Sequence, residues 1–425
     1  MADLEPSAGV GLNGPEASRP THDRALLFAA RAARMAGYGA LSVVLVLYLV
    51  AIGRSDLEIG ALLTLTLVGD VAVSLWLTTA ADRLGRRRIL VIGALLMAGA
   101  GVAFAAATSL PVLIVAATIG VISPSGNEVG PFLAVEQAAL SEALPAGRRT
   151  RVFGWYNLVG SVATAVGVGT GGLAAGLALE SGRAPADAYR LVIVGYALVG
   201  LLLAVIFMRL SPAAETRLAG GPATRFGLRR SQGIVARLAA LFSLDAFAGG
   251  FVMQSLLVYW FHVRFGADPA VLGLLFFAAN LLAAVSALAA ARLAEKIGLV
   301  ETMVVTHLPS NVLLILVPFM PTLPLAAAVL LARFSISQMD VPTRQALTIG
   351  LVDPDERSAA AGIAGVARSI GASLAPVLSA PLIGTPGLAG VPFVVAGGLK
   401  IAYDLLVYAV FRGPARRIGR GECRQ

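Results

Sequence analysis

The sequence predicts an all-α polytopic membrane protein, and three observations carry that expectation. Of the 425 residues, 57% are apolar and only 13% are charged, where soluble domains carry about 25% charged residues. Mean hydropathy is +0.83. The apolar residues fall in runs of about twenty or more, the length that crosses a hydrocarbon core of roughly 30 Å, and the charges gather between those runs. A soluble helical protein would have to place around twelve such runs in succession in its core, which argues against that class.

The expected spans are 27–52, 58–80, 88–108, 111–138, 152–178, 189–209, 236–261, 270–293, 298–319, 325–350, 358–384 and 389–411. Twelve transmembrane helices put both termini on one side. The loops DRLGRRR (82–88), GRRTR (147–151) and the 210–235 connection with RFGLRR are basic, as is the tail FRGPARRIGRGECR. The opposite loops TSLP, MPTLP and GTPGLAG are almost uncharged. Basic loops stay inside, so the N- and C-termini are expected to be cytoplasmic. The organisation is then a disordered leader (1–24), a six-helix bundle (25–209), a cytoplasmic linker (210–235), a second six-helix bundle (236–412) and a basic tail (413–425).

The net charge of +9 follows this loop pattern and marks topology rather than a nucleic-acid surface. One cysteine, Cys423, lies in the tail, so no disulfide framework or thiolate cluster is expected. The three histidines, His22, His262 and His307, are dispersed. No metal site and no cofactor are expected, and the absence of a phosphate-binding loop argues against direct ATP use.

The two halves resemble each other. Ala81-Asp82-Arg83-Leu84-Gly85 faces Ala294-Glu295-Lys296-Ile297-Gly298, and Arg149-Thr150 with Gly154 faces Arg357-Ser358 with Gly362, at offsets of 213 and 208 residues. Related halves with a substrate site between them are a recurring transporter plan.

After the second span stands Thr78, then Asp82-Arg83-Leu84-Gly85-Arg86-Arg87. Apart from Thr78 in place of a glycine, this resembles the signature of the major facilitator superfamily, and the resemblance spans residues 25 to 412. It implies two pseudo-symmetric six-helix bundles and a cytoplasmic latch formed by Asp82, Arg83, Gly85 and Arg86. In that scheme Asp82 caps the start of the eleventh helix near Ser358, and Arg86 pairs with Glu136. The fifth span carries Gly154, Ala163, Gly167-Val168 and Gly171-Gly172 in the register of the family's drug–proton antiporters, with Val168 where they have proline. Helix 11 repeats the spacing more loosely through Gly371. These glycines, 154, 167, 171, 172 and 371, are expected to permit close helix packing.

Charges at membrane depth are costly and tend to face a cavity or a partner. The candidates are Arg34, Asp70, Glu128, Glu136, Asp245, Asp340 and Arg344. By the family resemblance helices 1, 4, 7 and 10 line the central cavity, and most of these charges fall on those four. Arg34, Glu128 and Asp245 are the candidate substrate- or proton-binding groups, with Tyr38, Asn127, Gln254 and Gln338 as polar neighbours. For Glu128 the alternative is a static pair with Arg34. Asp70 is a possible protonation site, and His307 and Asn311 are placed outside the cavity. In the tenth span Asp340 and Arg344 share a face as i and i+4, Arg333 lies seven residues earlier, and Pro342 leaves the Gln338 carbonyl free. These three charged residues are expected in a cavity wall or gate.

The reading is a secondary transporter of a small organic solute, working by alternating access as a monomer among membrane lipids. A proton-coupled exporter in a bacterial inner membrane, drug-efflux-like and driven by the proton gradient, is the leading form. An uncoupled facilitator, a proton-coupled importer, a metal-ion exporter and a non-transporting scaffold are the alternatives. No nucleophile–base arrangement points to an enzyme.

Overall fold

The computed structural model describes residues 15–142, 146–211, 228, 230–353 and 355–419, and every regular segment in them is helical. Residues 1–14, most of the linker, the last six residues and the side chains of Asp82, Arg83, Arg149, Thr150 and Ser358 lie outside the described set. The expected capping role of Asp82 falls there.

The first expected spans coincide with α1 (Pro15–Ala51), α2 (Asp56–Leu84) and α3 (Arg86–Ala106). Helix α1 begins at Pro15, inside the stretch expected to be a leader. Proline at a first helical position loses no hydrogen bond and arrives with helical φ. Asp23, also in that stretch, is buried and accepts from the Ser211 amide at 3.0 Å. Helix α2 opens with a capping box: Ser55 N donates to Glu58 Oε2 at 2.8 Å and Glu58 N to Ser55 Oγ at 3.3 Å. Gly85 closes it with φ +92°, and Gly298, its counterpart in the second half, stands at φ +98°. Both conformations favour glycine, so these two positions of the sequence repeat share a backbone conformation.

The fourth expected span is broken into α4 (Leu110–Ile119) and α5 (Phe132–Glu142). Between them Pro124 and Pro131 remove amide donors, and Gly126 and Gly130 take φ of +71° and +80°, so no continuous helix can form. Helices α6 (Ala146–Glu180) and α7 (Pro185–Met208) are continuous. The seventh span divides into α8 (Gln232–Gly250) and α9 (Gln254–Phe265), followed by α10 (Pro269–Ile297) and α11 (Leu299–Leu316). The tenth divides into α12 (Leu323–Phe334) and α13 (Asp340–Leu351), the eleventh into α14 (Arg357–Leu374) and α15 (Pro376–Gly384), and α16 (Val391–Gly419) ends the chain.

This corrects two expectations about the tenth span. Residues 335–339 form turns, so Arg333 and Asp340 do not share one helical face. Pro342 sits in the first turn of α13, where its missing donor has no partner in the same helix to lose.

Among the described residues ten helical stretches are long and apolar enough to cross a membrane, with shorter apolar helices at Leu110–Ile119, Phe132–Ser141 and Leu323–Phe334. Large apolar side chains stand outward along them, among them Leu274 at 68% and Phe319 at 66% exposure. A surface of that kind suits lipid rather than water.

In packing, α1 lies against α6 and α7, and α3 against α7, while α8 packs on α14 and α16, and α11 on α16. The first set meets the second through α6 with α10, and through α2 with α14 and α15. Small residues bring these helices together. A Cβ on Gly167 would collide with the Ala36 carbonyl, one on Gly171 would stand 2.7 Å from Ala40 Cα, and one on Gly371 would strike the Ser243 carbonyl. Gly172 faces Gly273 across α6 and α10, with only 2.6 Å between such a Cβ and the Gly273 Cα. Gly154, expected to pack in the same way, has no neighbour within 4 Å; it lies at the exposed start of α6.

Gly172→Val is therefore expected to wedge α6 from α10. Overpacking of this kind costs about 1–3 kcal/mol, and a thermal melt in detergent should fall accordingly. Gly154→Val should melt with the wild type.

Candidate functional site: two buried charge clusters

The first cluster joins α1, α5, α6 and the interhelical segment 120–131. Arg34, fully buried, is gripped by two carboxylates. Its Nη1 and Nη2 donate to the two oxygens of Glu136, each at 2.7 Å, and its Nε donates to Glu128 Oε1 at 2.9 Å. Arg31, one turn earlier, is also paired with Glu128, and the Tyr156 hydroxyl donates to Glu136. The Arg34 guanidinium lies 4.5 Å from the centre of the Phe132 ring. Fork-to-carboxylate pairing of this kind is the strong form of the ion pair.

One sequence expectation changes here. Glu136, expected on Arg86, has Arg34 and Tyr156 as its described partners. Glu128 is paired with Arg31 and Arg34.

Asp70 has a definite task. Its Oδ1 accepts from the Gly130 amide at 2.6 Å and from Ser74 Oγ at 3.2 Å. It thus satisfies a backbone donor that the broken fourth span leaves free.

The second cluster is built on Asp245 of α8, 211 residues after Arg34. Asp245 accepts from Lys400 Nζ at 2.5 Å, Arg344 Nη1 at 3.1 Å and Arg368 Nη1 at 3.4 Å. Arg344 also donates to Asp340 Oδ2 at 3.0 Å, the i,i+4 pair expected within the tenth span. Farther along α16, Asp404 takes His307 Nδ1 at 2.7 Å and Asn311 Nδ2 at 2.9 Å. The two clusters have opposite polarity: a cation held by anions in the first half, an anion held by cations in the second.

A polar junction joins the halves away from the chain ends. Ser255 Oγ donates to the Ser42 carbonyl at 2.8 Å and Ser255 N to the Pro124 carbonyl at 3.2 Å. Gln254 Nε2 donates to Ser42 Oγ at 2.5 Å while its Oε1 accepts from Asn280 at 2.8 Å. Tyr259 OH reaches Asp56 Oδ1 at 2.6 Å. Ser42 and Ser255 lie 213 residues apart, the offset of Gly85 and Gly298, so equivalent positions of the two halves touch here. The breaks in the fourth and seventh spans make this possible, because each exposes backbone to the other.

The remaining candidates are dispersed. Tyr38 is buried and donates to the Val129 carbonyl at 3.3 Å, while Asn127 is exposed. Gln338 uses its amide on Ser286 Oγ at 3.3 Å. Arg86 is buried, and Arg87 donates to the Met208 carbonyl at the end of α7, a favourable place for a cation.

Arg31, Arg368, Lys400 and Asp404 were not anticipated. Lys400 and Asp404 form an i,i+4 pair of charges inside an apolar run. The rule that singles out Asp245 applies to them equally, but they lie on α16, outside the four helices that the family resemblance assigns to the cavity.

Among the described residues no group of three or more His, Cys, Asp or Glu is placed to hold a metal.

An all-α polytopic membrane protein with charged networks buried in each half is the class that fold and site define. The chain matches the Major Facilitator Superfamily over residues 27–376 and 260–422, and it belongs to that family. It is therefore a secondary transporter by fold. It is 30% identical over 430 residues to the uncharacterized membrane protein YJR124C of Saccharomyces cerevisiae, covering 94% of this chain and 96% of that one. Among solved structures it resembles the nucleoside transporter NupG, with TM-score 0.72 and 14% identity over 92% of this chain and 99% of that one. It also resembles a bacterial homologue of the human lysosomal transporter Spinster in an inward-facing, unoccupied conformation, with TM-score 0.71 and 14% identity over 96% and 99% of the two chains. At those identities the likeness is one of fold.

Proposed function

We propose that the chain is a twelve-span, alternating-access transporter with cytoplasmic termini, acting as a monomer in a bacterial inner membrane. Its two six-helix bundles carry a small organic solute, in the proton-coupled, efflux-like direction. The observation that carries this reading is the pair of buried charge clusters, one per half, at equivalent positions of the repeat. Ionised groups at this depth are retained for transport pathways and proton relays, and a scaffold needs neither. The polar junction around Ser42, Gln254 and Ser255 supports a closed outer end, with the clusters lying nearer the cytoplasmic side. Contact between the halves through α2 with α14 and α6 with α10 supports rocking of one against the other.

Within this reading Glu128 is the protonation candidate of the first half. It sits in a helix break, is only partly buried, and shares Arg34 with Glu136, so neutralising it leaves Arg34 held. The test is flux in reconstituted vesicles under an imposed pH gradient. Glu128→Gln is expected to keep exchange at equal pH but to lose accumulation driven by the gradient. Wild-type flux indifferent to the gradient would remove proton coupling and leave the uncoupled facilitator.

A further inference from the structure

The two clusters differ in charge balance. Around Arg34, two guanidiniums meet two carboxylates, Glu128 and Glu136. Around Asp245, the cations Arg344, Arg368 and Lys400 meet only Asp245 and Asp340. Asp404, the next carboxylate, is engaged by His307 and Asn311.

A fourth cation joins this set. Arg333, at the end of α12, is only 9% exposed, and its Nε is buried without a hydrogen-bond partner. Among the described residues it forms no ion pair, and the ring of the next residue, Phe334, lies 5.0 Å from the guanidinium carbon. Arg333 and Arg368 both lie within electrostatic reach of Asp245 and Asp340. Counting Asp404, which lies within electrostatic reach of Lys400, four cations stand against three carboxylates.

An arginine cannot shed its proton to escape this situation, and an ion left unpaired in a low-dielectric interior is expensive. Relief requires a counter-charge that the described side chains do not supply. Arg368, 34% exposed, is the most accessible member of the set. Two aromatic rings stand beside the cluster: Phe334 next to Arg333, and Phe242 with its ring centre 5.4 Å from the Arg344 guanidinium. Guanidinium forks suit planar oxyanions, and aromatic side chains suit the body of an organic molecule.

Resting on the transporter reading above, we propose that this cluster receives an organic carboxylate, with Arg333 as its principal ligand and Arg368 as the more accessible one. The transported solute is then an organic anion, and its charge completes the balance that the protein leaves open.

The test compares three molecules of one skeleton, naphthoate, naphthamide and naphthylmethylamine, on the full chain in phosphatidylcholine nanodiscs. Naphthoate alone is expected to bind and to raise the melting temperature. Arg333→Gln should weaken naphthoate by about tenfold to a hundredfold, the range for a charge-assisted hydrogen bond. Arg333→Lys should fall between, and Arg368→Gln should also weaken it. Without ligand, Arg333→Gln should melt at or above the wild type, because it removes a charge that nothing pairs. A clear drop there would make Arg333 a structural residue and overturn the proposal. Equal binding of the amide or amine would overturn it too, as would wild-type naphthoate affinity in both glutamine variants. Stabilisation by added phosphatidylglycerol that naphthoate does not reproduce would assign the charge to a lipid headgroup instead. Flux separates this inference from the reading beneath it. Naphthoate binding without flux in proteoliposomes supports the anion site and sinks transport. Flux of naphthamide that naphthoate fails to inhibit keeps transport and sinks the anion site.

Discussion

Asp245→Asn is expected to be the most damaging single substitution in the C-terminal half. Its carboxylate is shared by Lys400 at 2.5 Å, Arg344 at 3.1 Å and Arg368 at 3.4 Å, and only 6% of the side chain is exposed. Neutralising it leaves Asp340, among the described residues, as the one carboxylate that pairs any of these three. Breaking a buried pair costs about 3–5 kcal/mol, because the remaining charges stay buried. The measurement is the melting temperature and the yield of monodisperse protein in detergent, with flux alongside. Adding Lys400→Met to Asp245→Asn should recover part of the loss, since one stranded cation goes with it. A single variant that melts with the wild type would mean that Asp245 does not hold this cluster.

Arg34 is expected to be as sensitive in the first half, and in a way that separates charge from shape. It donates to both oxygens of Glu136 and to Glu128 from one planar group that is completely buried. Lysine keeps the charge but concentrates its donors at one point, so it can serve one carboxylate well and not both. Arg34→Lys should therefore lose at least one charge-assisted hydrogen bond, about 1.5–3 kcal/mol. Arg34→Met strands two acids beside Arg31 and should cost more, about 3–5 kcal/mol. Thermal melts of the two variants, and of Arg34→Met combined with Glu128→Gln, provide the check. The combined variant should recover stability. If lysine were fully tolerated, the bidentate geometry would carry no weight.

Much of this molecule was legible before any coordinates. Asp245, Asp340, Arg344, Glu128 and Arg34 were singled out because each is an ionisable group in an apolar run, and the structure buries or half-buries every one. The Asp340–Arg344 pair follows from a four-residue spacing. What spacing did not reveal was partnership across helices: Glu136 meets Arg34 across 102 residues of sequence, and Lys400 meets Asp245 across 155. Nothing local encodes such contacts. The tenth span shows a second limit. Its residues read as one buried helix with an internal proline, yet the chain turns at 335–339 and restarts at Asp340.

By itself the sequence determined the class of the protein. Hydrocarbon demands long apolar runs whose backbone polar groups are satisfied within the segment, and that demand is written residue by residue. It also determined the repeat, because Gly85 and Gly298 answer the same backbone requirement 213 positions apart. Only the tertiary structure decided which charges neutralise one another. Pairing depends on which helix faces which at a separation of about 3 Å, and that is settled by packing of whole helices rather than by any short stretch. Among the described residues the packing leaves the Arg34 cluster balanced and the Asp245 cluster short of negative charge, with Arg333 buried beside it and making no ion pair.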